Sequence, residues 1–261
     1  RRLKTAAPHP AALFKMQNWM KALTSDLLQF LNDSPCNFLA VKNVITRLER
    51  AGFSEADMAE PWTLAPGDRR YVVKNSSAIF AFVVGSDTPA AGFHIISAHS
   101  DSPGFRIKPN AEIVGEGGMV TLNTEVYGGP ILYTWFDRPL SIAGRVTVRS
   151  SDPLNPDTRM VNFGRPLLTI PHLAIHFNRA VNEGNPLSRQ RDMLPVLGRV
   201  EKPEEAKGLL TRMVADELGV TPEEILDFDL TLYDTTPACT FGLNDEFISS
   251  GRIDDLEMVH A

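Results

Sequence analysis

Three short stretches of this chain carry residues able to hold a metal or move a proton. In "FHIISAHSDSPG", residues 93–104, His99 and Asp101 stand two apart, with His94 upstream. In "PHLAIHFN", residues 171–178, His172 and His176 stand four apart. In "GRIDDLEM", residues 251–258, Asp254 and Asp255 are adjacent. Positions i and i+2 of a strand share a face. A strand through residues 93–100 would therefore present His99 and Asp101 together at its C-terminal edge, where open α/β sheets place ligands. A metal-bound imidazole needs an acceptor on its second ring nitrogen, and Asp101 is placed to supply one. The alternative is a histidine satisfied by ordinary hydrogen bonds at a strand end. Two residues do not make a metal site, because zinc takes three or four protein ligands.

His172 and His176 have the spacing of a helical zinc pair but lack the glutamate of H-E-x-x-H. The preceding "LLTIP" reads as strand, so ordinary structural histidines are the reading from pattern. Asp254 and Asp255, at the head of an apparent helix, either complement the helix dipole or bridge metal ions. His9 and His260 lie near the ends of the chain and carry no signal of their own. No G-x-S-x-G elbow, Walker loop, dinucleotide fingerprint or Cys-x-x-Cys pair is present.

The elements that must position these residues are legible in outline. From Asn18 to Arg50 the apolar spacing is helical, through Trp19, Leu23, Leu27 and Leu28 and then Val41, Val44, Ile45 and Leu48. "NDSPCN" breaks it at Pro35, and Gly52 stops the second helix. "RYVVKN", "SAIFAFVVG" and "FHIISAHS" read as strands. The last two are nearly continuous apolar runs, as in strands covered on both faces. Helices followed by such strands imply a layered α/β domain. After Lys108, short strands separated by Gly, Pro and Asp turns read as a β-rich module. Residues 204–220 form a helix closed by Gly219, and Thr221-Pro222 opens a short helical turn before an alternating strand through Phe228, Leu230 and Leu232. The final "FISSGRIDDLEMVHA" turns into an apolar helix that breaks off at once, the mark of a truncated or frameshifted product.

Composition bounds the function. The 261 residues carry a net charge of −6, against nucleic acid as the main partner. Two cysteines, Cys36 and Cys239, argue against a disulfide framework and for a reducing, cytoplasmic setting. No apolar run reaches the ~18 residues of a membrane span. "RRLKTAAPHPAALFK", residues 1–15, reads as a disordered leader ahead of a start at Met16.

Longer motifs then add up. "NSSAIFAF", "AHSDSPGFRIK", "YGGPILYTWFDRPLSIAGRV", "RPLLTIPHLAIHFNR", "DTTPA" and "DEFISSGRIDDL" stand in this order between Met16 and Met258. Together they resemble the aspartyl aminopeptidase family of two-metal exopeptidases. The resemblance implies an α/β catalytic domain (residues 16–108, resuming at 246–261) interrupted by a β-rich dimerisation domain (residues 109–245). It implies dimers built into a dodecamer, and release of N-terminal Asp or Glu from peptides. His99 matches a ligand of one zinc ion, Asp101 the carboxylate that orients it, and Asp254 the aspartate that bridges the two zinc ions. Asp255 stands where the family usually has Asn. His176 matches a histidine that reaches a neighbouring subunit's active site, while His172 stays structural. Leu39 replaces a frequent family histidine. The family's Glu-Glu pair, a further Asp and a late His match nothing in this chain, because Glu204-Glu205 and Glu223-Glu224 fall in surface helices. The resemblance thus implies an enzyme inactive as this chain alone. Two other readings are a non-catalytic assembly protein and a mononuclear metal-binding module.

Overall fold

The computed structural model describes residues 10–87 and 92–261. His9 and most of the expected leader lie outside the described residues. From Pro10 the backbone is already helical, so the first helix starts earlier than its apolar stripe indicates. A proline suits a first helical position, having no N–H to leave unpaired.

Helices α1 (Pro10–Asp33) and α2 (Asn37–Arg50) are separated at Pro35, as the sequence indicates. Then come β1 (Ser54–Glu55), β2 (Arg69–Lys74) and β3 (Ala78–Val83), a three-stranded sheet in that order. Past residues 88–91 the chain enters β4 (Gly104–Val114), which pairs with β5 (Met119–Tyr127). Next are β6 (Leu140–Val148), β7 (Asp157–Asn162), β8 (Val196–Arg199), α3 (Leu209–Leu218) and β9 (Ile225–Asp234). The hairpin β10 (Cys239–Phe241) and β11 (Phe247–Ser249) leads into α4 (Ile253–His260). The result is a mixed α/β fold.

Strands β4 to β9 form one six-stranded sheet in the order β7-β6-β9-β4-β5-β8, with antiparallel pairing throughout. Its core is closed: Leu122, Leu140, Ile142, Val146, Leu230 and Ile170 are fully covered, and α3 adds Leu210 and Val214. Gly144 lets β6 and β9 approach, since a Cβ there would lie 2.1 Å from the Asp229 carbonyl oxygen. The turn before β9 follows its sequence signal. Pro222–Glu224 is a single helical turn, and the Glu224 carboxylate accepts from the Thr221 amide and hydroxyl at 2.7 and 3.0 Å. The expected boundaries fall inside elements. Lys108 and Pro109 lie within β4, where the register shifts, and residues 245 and 246 lie in the β10–β11 turn. A proline is tolerated at such an irregularity, so the sheet starts earlier than the change in composition.

The strand expected at "FHIISAHS" does not form. Residues 92–100 are in no sheet, and Phe93, Ile95 and Ile96 are 82%, 76% and 93% exposed. An apolar run of this kind becomes a strand when neighbours offer a ladder and cover its faces. Among the described residues none does. Strand β3, which among the described residues pairs with β2 alone, also leaves Phe80 and Val83 exposed.

Two smaller clusters join the parts. Phe30, Leu31, Ala40, Ala238 and Leu256 tie α1 and α2 to α4. Cys36 and Phe38 pack on Ala143 and Tyr233, with Leu39 at the margin, which seats α2 on the six-stranded sheet. Among the described residues no helix is long and apolar enough to cross a membrane.

Candidate metal centre

Three segments converge on His99. The first is its own extended segment, held by Ser100, whose hydroxyl donates to the Ser77 carbonyl at 3.1 Å. The second is the turn after β11. Asp254 and Asp255 lie in the first turn of α4 but have non-helical dihedrals, so regular helix begins only after them. That turn is pinned from both sides: Ser102 donates to the Asp254 carbonyl at 3.1 Å, and the His99 amide donates to Asp255 Oδ2 at 3.1 Å. The third is the end of β5, where the Tyr127 hydroxyl donates to Asp101 Oδ2 at 2.6 Å.

The imidazole is thereby oriented. His99 Nδ1 lies 2.9 Å from the Asp101 backbone carbonyl, which can only accept, so this nitrogen carries the proton. The Asp101 carboxylate is farther from it, with Oδ1 at 3.4 Å. The sequence assigned the orienting contact to that carboxylate. In the structure the carbonyl is closer, because Tyr127 draws the carboxylate toward β5. Either acceptor fixes the ring. His99 Nε2 then faces Asp254 Oδ1 at 3.2 Å and Asp255 Oδ2 at 3.8 Å.

One ligand atom from each of His99, Asp254 and Asp255 lies within 4.8 Å of the other two. Asp255 entered the sequence reading beside Asp254, as a candidate metal-bridging carboxylate and as a residue standing where the family usually has Asn. Here it is a full member of the cluster, and His99 and Asp255 are separated by 156 positions. Desolvation pulls the His99 pKa down. The Asp101 carbonyl and the charges of Asp255, Asp101 and Asp254 outweigh it and hold the ring above its ordinary value. Asp101 is held below its ordinary value, chiefly by the Tyr127 hydrogen bond. Two carboxylates aimed at one imidazole edge repel each other unless a proton or a cation lies between. One imidazole and two carboxylates suit zinc, and equally cobalt or manganese. His99 and Asp254 are exposed, so an ion or substrate has access.

Beside the cluster lies a cavity of about 570 Å³, lined by Asp101, Tyr127, Arg138, Asp234, Arg252 and Asp254 among others. Its arginines are occupied. Arg138 pairs with Asp234 at 2.6 Å, and Arg106 with Asp229 at 2.7 Å. Buried Arg252 donates to the Leu31 carbonyl at 3.2 Å and the Asp234 carbonyl at 3.4 Å. It thus rivets the Asp254 turn to α1 and β9.

His176 is not brought to this site. It lies on an exposed turn after β7, with no helix to align it with His172. The ring of His172 packs edge-on against Phe136 at 4.5 Å, a structural role as expected. His94 is exposed and outside the cluster. Glu204-Glu205 and Glu223-Glu224 sit in single helical turns away from it. Tyr127 escaped the sequence reading. Its signal was the β4–β5 register, which sequence spacing alone does not fix.

Comparison with known proteins gives this geometry a family. The profile described as "Aminopeptidase I zinc metalloprotease (M18)" matches residues 30–261. A protein named as an M18 family aminopeptidase 2 in Clostridium acetobutylicum is 51% identical over 90% of this chain and 54% of its own length. Its namesake in Clostridium novyi is 49% identical over 94% of this chain and 57% of its own. The chain therefore spans about half the length of the curated relatives it matches. Among solved structures, Ape4 in its complex with Nbr1 aligns with a TM-score of 0.86 at 34% identity, covering 92% of this chain and 49% of that one. An M18 aminopeptidase from Thermotoga maritima shares the fold, with a TM-score of 0.74 at 20% identity over 95% of this chain and 55% of its own. By the match of residues 30–261 and these relatives, the chain belongs to the M18 peptidases, the aspartyl aminopeptidase family of zinc metalloproteases.

Proposed function

We propose that this chain carries the opening part of a zinc aminopeptidase site that releases N-terminal residues, acidic ones by family likeness, from peptides. The observation that supports it is the meeting of His99, Asp254 and Asp255 within 4.8 Å from segments far apart in sequence. A bound zinc ion lowers the pKa of its water and polarises a peptide carbonyl. In this reading His99 and Asp254 would be the metal ligands, Asp254 would be shared if two ions bind as the family resemblance implies, and Asp255 takes the position usually held by Asn. Asp101 fixes the His99 ring, with its carbonyl 2.9 Å and its carboxylate 3.4 Å from Nδ1. Residues 16–108 and 246–261 belong to the catalytic domain, and residues 109–245 to a dimerisation domain. His176 serves a neighbouring subunit in a homo-oligomer. One fold neighbour is the S. cerevisiae mApe1 dodecamer. The working place is the cytoplasm.

The cluster holds no glutamate that could act as general base. The chain alone is therefore inactive and holds zinc weakly. Calorimetric zinc titration beside hydrolysis of an Asp-terminated peptide tests this. The expected result is weak binding that His99→Ala abolishes, with no turnover. Turnover by the chain alone would overturn the inactivity, and binding untouched by His99→Ala would overturn the site.

A second reading, a non-catalytic assembly protein, draws on residues 173–177. Leu173, Ile175 and Phe177 are exposed beside His176, on a region whose core is otherwise closed. Size-exclusion chromatography with light scattering separates the two readings. A stable oligomer without zinc binding favours assembly.

A further inference from the structure

The six-stranded sheet meets the segment that carries Asp101 through Tyr127, a side chain to which neither the sequence motifs nor the family match assigns a role. Strand β4 begins at Gly104, three residues after Asp101, and β5 ends at Tyr127. Antiparallel pairing sets Gly104 opposite Tyr127. The next residue, Gly128, has φ +69°, and a Cβ on it would lie 3.3 Å from Pro103 Cα. The end of β5 is thus pressed against the segment that carries Asp101. Tyr127 reaches back from there to donate to Asp101 Oδ2 at 2.6 Å. Its ring is held in turn by the Arg106 guanidinium, 5.8 Å from the ring centre, and Arg106 is anchored on Asp229 at 2.7 Å. A chain of contacts therefore runs from β9 through β4 and β5 to Asp101 and on to His99 Nδ1.

We propose that Tyr127 is a positioning residue for the metal centre: by holding Asp101 it sets the ring orientation of His99, so that Nε2 faces Asp254 and Asp255. The proposal rests on the zinc-site reading for its consequence but not for its geometry. Without the Tyr127 hydroxyl, Asp101 Oδ2 loses its donor and the carboxylate is free to rotate. The carboxylate can then take Nδ1–H from the carbonyl and turn the ring with it, while the proton stays on Nδ1 because both groups only accept. Outer partners of a metal-ligating histidine are worth about 10–100-fold in metal affinity.

The test uses the whole chain, labelled with 15N-histidine and free of metal, with long-range 1H–15N correlation at pH 8.5. His99→Gln assigns the signals. The wild type is expected to show His99 protonated on Nδ1. Tyr127→Phe, which keeps the ring and removes only the hydroxyl, is expected to keep the proton on Nδ1 and to shift the His99 ring 15N signals, as Nδ1–H passes from the carbonyl to the carboxylate. Identical His99 shifts in the two proteins would overturn the proposal. Val126→Ala trims the same strand without touching Asp101 and is expected to leave His99 unchanged; a change as large as that of Tyr127→Phe would assign the effect to a loosened strand and overturn it. Zinc competition at pH 7.5 adds the second readout. Tyr127→Phe is expected to weaken zinc by about tenfold or more, and to have no further effect when Asp101 is already Ala. Additive losses would overturn the route through Asp101. A wild type that binds no zinc would overturn the metal reading and leave the 15N experiment to decide the role of Tyr127.

Discussion

Two regions of this molecule, both rich in strand-forming residues, end up in opposite states. In β6, Leu140–Val148, almost every side chain is covered, because β7 and β9 flank it and other core residues cover its faces. The run 93–96 is as apolar and stands in the open, with Ile96 93% exposed. Local propensity is similar in both. What differs is the presence of neighbours. A strand is a collective object: its backbone needs partners and its apolar faces need cover, and sequence supplies only the willingness.

The contrast can be tested, and the largest effect lies in hydrogen exchange. Amides of residues 93–98 should exchange at nearly the unprotected rate, while those of β6 and β9 exchange only through large-scale opening, slower by at least about a thousandfold. Strong protection at 93–98 would mean that this segment finds a partner in solution. The matching substitutions come next. Ile142→Ala should cost about 2–5 kcal/mol in urea unfolding, because Ile142 is wholly covered. Ile96→Ala should stay within about 0.5 kcal/mol. Equal losses at the two positions would erase the distinction.

Arg252→Met probes the joint that ties the Asp254 turn to α1 and β9. It leaves the Leu31 and Asp234 carbonyls without their donor. A loss of about 1–3 kcal/mol is expected, and an unchanged unfolding midpoint would show that the joint carries no stability. The smallest effect is electrostatic. Asp26 is held down at about 2, by its hydrogen bond to Arg47 first and then by His260, which links α1 to α2 and α4. A depressed carboxylate stabilises the fold above its ordinary value of 3.8, and that contribution is lost as pH falls toward 2. Because Asp26 is half-exposed, solvent screening keeps the effect below about 1 kcal/mol. Urea midpoints at pH 5 and pH 2.5 should therefore differ slightly less in Asp26→Asn than in the wild type.

Much of this was legible in the sequence, for local reasons. Pro35 breaks α1 from α2, because a proline cannot continue a helix. Thr221-Pro222 opens a turn, and the alternation of Phe228, Leu230 and Leu232 gives β9 its covered face. The strand-like "LLTIP" before His172 agrees with a backbone that is not helical from His172 to His176. His99, Asp101 and Asp254 were candidates in the sequence, and the fold brings their side chains together.

Tertiary structure decided the rest. It excluded residues 92–100 from any sheet, because sheet membership depends on what lies alongside. It turned Asp101 so that its carbonyl, not its carboxylate, is the nearer partner of His99. It made Asp255 a member of the cluster and Tyr127 the partner of Asp101, across separations that no local pattern encodes. Residue types and short spacings determine which groups are able to bind a metal. Only strand register and the packing of distant segments determine which of them meet, since those choices depend on contacts over the whole chain.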